Sequence, residues 1–221
     1  MYCTSKIERI LLLGSGGHCG VVVDALRRAF PAIEIGIVAK DGNASTPVNT
    51  AVVGCDADLP ALYTNGWKHA FVAVGSVGET ALRVKLSNML DKLGFEQPAI
   101  IDPTAVISPS ATVMAGAFVG ACAIVNSGAV IGRCAIVNSG ALVEHECTLG
   151  EFAHAAPRSI LCGQVTVGAH THIGAGSVLR QGITVGDHTL VGMGSVVTKD
   201  LPSGVVAFGN PCRIREQRKD L

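Results

Sequence analysis

The sequence predicts an α/β domain with a small parallel sheet over residues 1–98, followed by an all-β parallel β-helix over residues 99–221. Three observations carry this reading. Residues up to about 98 alternate short apolar runs with helix-period segments, the pattern of βαβ units. From Ile101 onward every sixth residue is aliphatic. Gly is abundant, at 27 of 221 residues, while aromatic residues make up only 4%, a mix suited to thin, closely stacked strands.

The first domain reads as follows. The run "RILLLG" is a buried strand ending at a tight turn on Gly14. "HCGVVVDALRRAF" has a helical apolar pattern, "IEIGIV" is a second strand and "AVVG" a third. "DADLPALYTNG" suggests a short helix and "HAFVAVGS" a strand. "GETALRVKLSNMLDKLG" is an amphipathic helix that stops at Gly94.

In the second part the period is six. Of the seventeen residues at this spacing from Ile101 to Val197, sixteen are Val, Ile or Leu, and the exception is Ala155. Four places after the aliphatic residue stands a small one, as in Ala105, Ala111, Ala117, Ala123, Ala129, Ala135 and Ala141. Gly often follows it directly, as at Gly120, Gly132, Gly150, Gly168, Gly174, Gly186 and Gly192. Neither a helix nor a plain hairpin requires a strict six, whereas a hexapeptide β-helix does. Each unit is one short strand and a corner, and three units make a triangular coil with the aliphatic residue inside. The glycines are expected to supply the corner backbone angles.

Totals exclude several functions. Lys plus Arg and Asp plus Glu both number 17, so nothing draws the chain to a nucleic-acid backbone or an anionic membrane. Pro103 to Gly132 carries no charge, but Ser, Asn, Thr, Pro and Gly recur throughout, against a membrane-spanning helix. The start lacks a secretory pattern, and the eight cysteines include no CxxC pair. Free thiols in a reducing cytoplasm are therefore expected. His170, His172 and His188 present no convincing ligand set on one coil, so no metal is expected. His69 reads as structural.

Against this uniform wall, Glu144-His145-Glu146 places three ionisable residues in a row. Three hexads make a turn, so residues eighteen apart stack. Gly163 therefore lies one coil above His145, presenting a backbone N–H without a side chain. An imidazole can take a proton from an attacking amine or hydroxyl, and an N–H beside it can stabilise the oxyanion of a thioester adduct. By composition either Glu144 or Glu146 can serve the ring. Cys147 and Cys162 are near in the coil, but the hexad position of Cys147 suggests packing.

The six-residue repeat behind a βαβ segment resembles the bacterial sugar acetyltransferases of the left-handed β-helix superfamily. These carry a small Rossmann-like domain ahead of the coil. The likeness spans nearly the full length and extends to UDP-4-amino-sugar N-acetyltransferases and sialic acid O-acetyltransferases. It implies a left-handed coil, acetyl-CoA as cosubstrate, a homotrimer and an amino-sugar nucleotide of the UDP type as acceptor. It further implies His145 as general base, Glu146 as the acid that orients it, Gly163 as the oxyanion contact and His154 as part of the acceptor site. The cofactor groove is implied between subunits along roughly Gly163 to Gly194, with Gly163, His154, Ala175, Gly192 and Gly194 as contacts. The segment "FGNPCRI" resembles the family's closing segment, with Cys212 in place of the common Ala.

The loop "GSGGHCG" follows a strand and opens a helix, where an anionic ligand meets free N–H groups. It departs from GxGxxG because Cys19 takes the third Gly place, and no acid is well placed after the second strand, so NAD is not expected. The resemblance makes Gly14, Gly16, Gly17 and His18 sugar-nucleotide contacts, with Asp41 as a further one in place of the family's acidic pair. Ser76 begins another nucleotide-facing turn, with Arg83 as a weaker candidate. Two rival readings remain: O-acetylation of a sugar such as sialic acid, and a non-catalytic β-helix scaffold or carbohydrate-binding protein.

Overall fold

The computed structural model describes residues 7–40 and 50–218. The N-terminal domain is a four-stranded parallel sheet made of β1 (Arg9–Leu13), β2 (Glu34–Val38), β3 (Val52–Gly54) and β4 (His69–Val72), in the order β3-β2-β1-β4. Helices α1 (Gly17–Ala29), α2 (Leu59–Thr64) and α3 (Ala81–Lys92) cover it. Leu11, Leu13 and Trp67 pack on one side, and Ile10, Leu12, Val22 and Leu26 on the other. A continuous apolar strand such as β1 is what burial on both faces demands.

Seventeen two-residue strands follow, β5 (Ile100–Ile101) through β21 (Val196–Val197). Every third strand pairs in parallel, for example Leu142 with Ile160 and Val143 with Leu161. Three sheets result, the sides of a triangular prism. The aliphatic residue of each hexad points inward, and the resulting core runs from Val119 to Val197 without a polar member. A hairpin, β22 (Val205–Gly209) and β23 (Cys212–Gln217), closes one sheet at the far end. The predicted left-handed β-helix behind a small parallel sheet is the observed architecture.

The three outer faces differ. One presents Ile100, Phe118, Ile136, His154, His172 and Leu190. The N-terminal domain docks here, sharing a core with Ile100, Phe118 and Ile136, and Arg28 clamps Asp102. The second presents Val106, Ile124, Leu142, Ile160, Val178 and Val196, an unbroken aliphatic strip, exposed at Val106 and Ile124 and half-buried beyond, which the chain's last strand approaches at its Val196 end. The third is mostly threonine: Thr112, Thr148, Thr166 and Thr184 interrupted by Val130.

The glycines after the aliphatic residue do not supply corner angles. The left-handed backbone falls two places later, at Gly116, Gly128, Gly140, Gly176, Gly182 and Gly194, and also at Cys122, Glu146, Gln164, His170 and other non-glycines. What constrains the earlier position is space. A Cβ on Gly150 would lie 2.6 Å from the backbone of Gly168 and Ala169 in the next coil. Close stacking of corners, rather than a special dihedral angle, selects glycine there.

Candidate functional site

Two groups of predicted residues occupy two different corners of the prism. His145, Glu146 and Gly163 sit where the aliphatic and threonine faces meet. His18, Ser76 and His154 gather where the docking and aliphatic faces meet, under the N-terminal domain.

At the first corner, the stacking arithmetic holds. A Cβ on Gly163 would overlap Nε2 and Cε1 of His145, so the ring occupies the space a side chain would take. His145 Nδ1 lies 3.3 Å from Glu146 Oε2, and Nε2 faces the glycine. Glu146 is the ring's partner, and Glu144 does something else: its Oε2 accepts the backbone N–H of His145 at 3.1 Å. That contact has a chemical meaning. The N–H at the third hexad position takes no part in the coil's ladder among the described residues, so it is left for a side chain or a ligand oxygen to satisfy. Glu144 occupies this amide at His145, while the equivalent amide at Gly163, buried against the His145 ring, has no acceptor among the described residues. The carboxyl of Glu146 is held below the usual range, first by the Gln164 amide and then by His145. An ionised Glu146 accepts Nδ1–H and leaves Nε2 as the basic nitrogen. Both side chains stay accessible, at 55% for His145 and 62% for Glu146.

Cys147 is fully buried, its thiol pushed up by burial, with Sγ against Cys162 O at 3.1 Å. It packs the coil, as its hexad position predicts, and hydrogen-bonds no base among the described residues.

At the second corner, a cleft of about 500 Å³ is lined by His18, Val21, Gly75, Ser76, Val77, Asn138, His154 and Pro157 among others. His154 has both ring nitrogens engaged. Nδ1 donates to Ser76 O at 3.0 Å, and Nε2 accepts from Asn138 Nδ2 at 3.1 Å. Burial, with His172 nearby, pushes its pKa down to about 3, so it is neutral and spans the two domains. His18 is pushed down to about 4 by burial and then by Arg83. Its Nε2 is buried without a hydrogen-bond partner among the described residues.

Gly14, at φ +116°, cannot carry a side chain, because a Cβ would lie 2.8 Å from Val74 Cγ2. Gly16 and Gly17 are exposed, and a Cβ on either would meet nothing within 4 Å. Nothing within the described chain requires glycine there, whereas a ligand backed against the α1 N-terminus would. Asp41 lies outside the described residues.

Arg83 is not a ligand-facing residue. It is 3% exposed and donates to Phe152 O and Cys134 O in the coil, bolting α3 to the prism. Ala175 and Gly194 lie on the docking–aliphatic corner of upper coils, and a Cβ on Gly194 would meet open space. Gly192 differs. Its N–H is held by Ala207 O, and Phe208 fills the room beside it, which makes it a packing glycine. Gly163 and the other four predicted cofactor contacts therefore lie on two separate corners of one chain.

Rings of His170 and His188 stack at 4.5 Å, and His170 Nδ1 pairs with Thr80 Oγ1 at 2.9 Å, tying the domains together. Among the described residues, no group of three His, Cys, Asp or Glu side chains could hold a metal ion. No described helix is long and apolar enough to cross a membrane. A larger apolar cavity of about 730 Å³ beneath the first coil, lined by Phe30, Ile101 and Val113 among others, contains none of the predicted site residues.

Residues 9–90 match the PglD N-terminal domain, and residues 164–199 match the hexapeptide repeat of succinyl-transferase. PerB from Caulobacter crescentus, solved in complex with CoA and GDP-perosamine, is 38% identical. The match covers 95% of this chain and 98% of that one, with a TM-score of 0.88. The chain belongs to the left-handed β-helix sugar N-acetyltransferases. The acetyltransferase domain of PglB from Neisseria gonorrhoeae, in complex with acetyl coenzyme A, is 33% identical over 94% of this chain and 99% of that one, at a TM-score of 0.86. WeeI from Acinetobacter baumannii is 26% identical over 93% and 99%, at 0.82. As a sugar N-acetyltransferase this chain is an acyltransferase whose cosubstrate is acetyl-CoA. The sugar it acetylates and the role of each site residue are separate questions.

Two residues of the corners escaped the sequence reading. Asn138, which fixes the His154 tautomer, carries no signal in a repeat rich in Asn and Ser. Gln164 does carry one: it is eighteen residues after Glu146, the same arithmetic that pairs His145 with Gly163.

Proposed function

We propose that the enzyme transfers acetyl from acetyl-CoA to the amino group of a nucleoside-diphosphate-linked sugar, of the UDP-4-amino-sugar type, with His145 as general base. The observation that carries this is the His145–Glu146 pair beneath the side-chain-free amide of Gly163. The neutral amine attacks the thioester carbonyl, forming the C–N bond. The carbonyl oxygen gains charge and is held by the Gly163 N–H. His145 Nε2 takes the proton from nitrogen, and Glu146 stabilises the imidazolium. The C–S bond then breaks and CoA leaves as thiolate, which the imidazolium protonates. A GDP-linked amino sugar is the second reading, favoured by the similarity to PerB and its GDP-perosamine complex.

The working unit is a homotrimer. The exposed aliphatic face supports it, since a contiguous apolar strip on a soluble domain marks an association surface. One edge of that face is the His145 corner, and the other is the cleft under the N-terminal domain. Three copies turning this face to a threefold axis bring the His145 corner of one against the cleft corner of the next. The sugar nucleotide then lies on the Gly14–His18 loop and Ser76 of one protomer, with its amine at His145 of another. Acetyl-CoA lies along the seam, which reunites Gly163 with His154, Ala175 and Gly194.

The test is a CoA-release assay over UDP- and GDP-linked amino sugars, with sialic acid as the hydroxyl acceptor. Release with an amino sugar and loss of about 10³-fold in kcat for His145→Ala are expected. An undiminished rate in His145→Ala, or release with sialic acid alone, overturns the reading. Shared sites have their own signature. Val77 is 74% exposed in the cleft, and Val77→Arg blocks it without touching the core. Mixed trimers of His145→Ala and Val77→Arg recover about a quarter of wild-type activity if sites are shared, and none if each protomer is self-sufficient.

A further inference from the structure

The Glu146 carboxylate is 62% exposed, and an exposed carboxylate has little reason to stay on one side of an imidazole. Its backbone has φ +57°, the left-handed region, which a non-glycine residue adopts at a cost. One coil above, Gln164 has the same conformation, at φ +63°. The two therefore project in parallel from stacked corners. Gln164 Nε2 donates to Glu146 Oε2 at 3.0 Å, the same oxygen that meets His145 Nδ1 at 3.3 Å. The main chain of Gln164 also reaches the catalytic rung, its N–H donating to His145 O at 2.9 Å. Gln164 directly follows Gly163, so it links the amide proposed to hold the oxyanion to the carboxylate that steers the base.

We propose that Gln164 is the positioning residue of this site: its side-chain amide pins the Glu146 carboxylate against His145 Nδ1 and so directs Nε2 toward the Gly163 amide. A neutral amide suits the task. It donates at every working pH and adds no charge to compete with the carboxylate for the ring. The ionisable groups on this corner include Glu144, engaged with the His145 backbone N–H, the thiols of Cys147 and Cys162, and Arg180 one coil above Cys162. Ser127 below and Gly163 above bring no charge. The side chain of Gln164 therefore reaches the ring through Glu146.

This inference rests on the reading of His145 as the base, and the experiment separates the two. Gln164→Met keeps length and an unbranched Cβ at the left-handed position, and it retains the backbone bond to His145. It is combined with Glu146→Gln in a double-mutant cycle read as kcat for CoA release at saturating substrates, with thermal melting as the check on folding. Gln164→Met is expected to lower kcat about fivefold in the wild-type background, and by less than about 1.5-fold in the Glu146→Gln background. KM for acetyl-CoA should stay within about twofold, since uniform binding is untouched. Equal losses in both backgrounds mean that Gln164 acts on the coil rather than through Glu146, and overturn the inference. An unchanged kcat in Gln164→Met overturns it as well. In either case the assignment of His145 stands or falls on His145→Ala alone.

Discussion

At the scale of single residues, the site depends on what is missing as much as on what is present. Gly163 has an ordinary backbone, yet a methyl group there would occupy the place of the His145 ring. Gly163→Ala is therefore expected to reduce kcat by more than about 10²-fold, because it displaces the proposed base and crowds the amide proposed to hold the oxyanion. The melting temperature should change little, because the group displaced is the exposed His145 ring rather than the core; a fully active Gly163→Ala enzyme would remove the stacked pair from the mechanism. The two glutamates flanking His145 separate in the same way. Glu146→Gln removes the charge proposed to stabilise the imidazolium and is expected to lower kcat about tenfold or more. Glu144→Gln keeps an acceptor for the His145 N–H and should stay within about threefold of wild type. Steady-state kinetics on the two variants decide, and equal losses would refute the division of labour seen in the hydrogen bonds.

At the scale of elements, the two-residue strands carry two messages. The inward residue builds the core and repeats almost without variation. The outward residue sets what each face does. The face of Val106, Ile124, Leu142, Ile160, Val178 and Val196 remains bare in one chain, and its neighbours on the prism are either covered by the N-terminal domain or threonine-rich. Leu142→Asp, in the middle of this strip, would bury a charge at the proposed threefold interface, at a cost of several kcal/mol. Light scattering should find it monomeric and CoA release should fall with it, while a trimeric Leu142→Asp protein would send the interface elsewhere. The strip was present in the sequence as the sixth residue of every third hexad. It could be read only after the coil assigned each hexad to a face, because a period of six marks inside and outside but does not say which of three outsides meets solvent.

At the scale of the whole molecule, histidines tie the domains together in their neutral form. His154 spans Ser76 and Asn138, and His18 lies under Gly75, with pKa values pushed down to about 3 and about 4. Both folded-state values lie below the unfolded value, so the unfolded chain binds more protons and stability falls with acidification. The loss begins near pH 6.5 and continues toward the folded pKa values, by about 1.4 kcal/mol per pH unit for each such histidine. Thermal melts from pH 7 to 4.5 should show a falling midpoint, with a shallower slope in His154→Gln. A flat profile would mean that these rings are not held neutral.

The period of six alone determined the prism, its aliphatic core and the stacking of residues eighteen apart, because strand pairing in a coil is a matter of counting. His145 above its neighbours and below Gly163 followed from that count, and Glu146 with Gln164 was available from it. Tertiary structure decided the rest. It showed that glycine after each aliphatic residue answers to close stacking, and that Arg83 and Gly192 both have packing roles within the chain. It also separated His145, the proposed base, from the cleft under the N-terminal domain by the width of one face. Those outcomes depend on which side of the prism the N-terminal domain covers, and that is set by complementary surfaces between segments far apart in the chain, which no local spacing records.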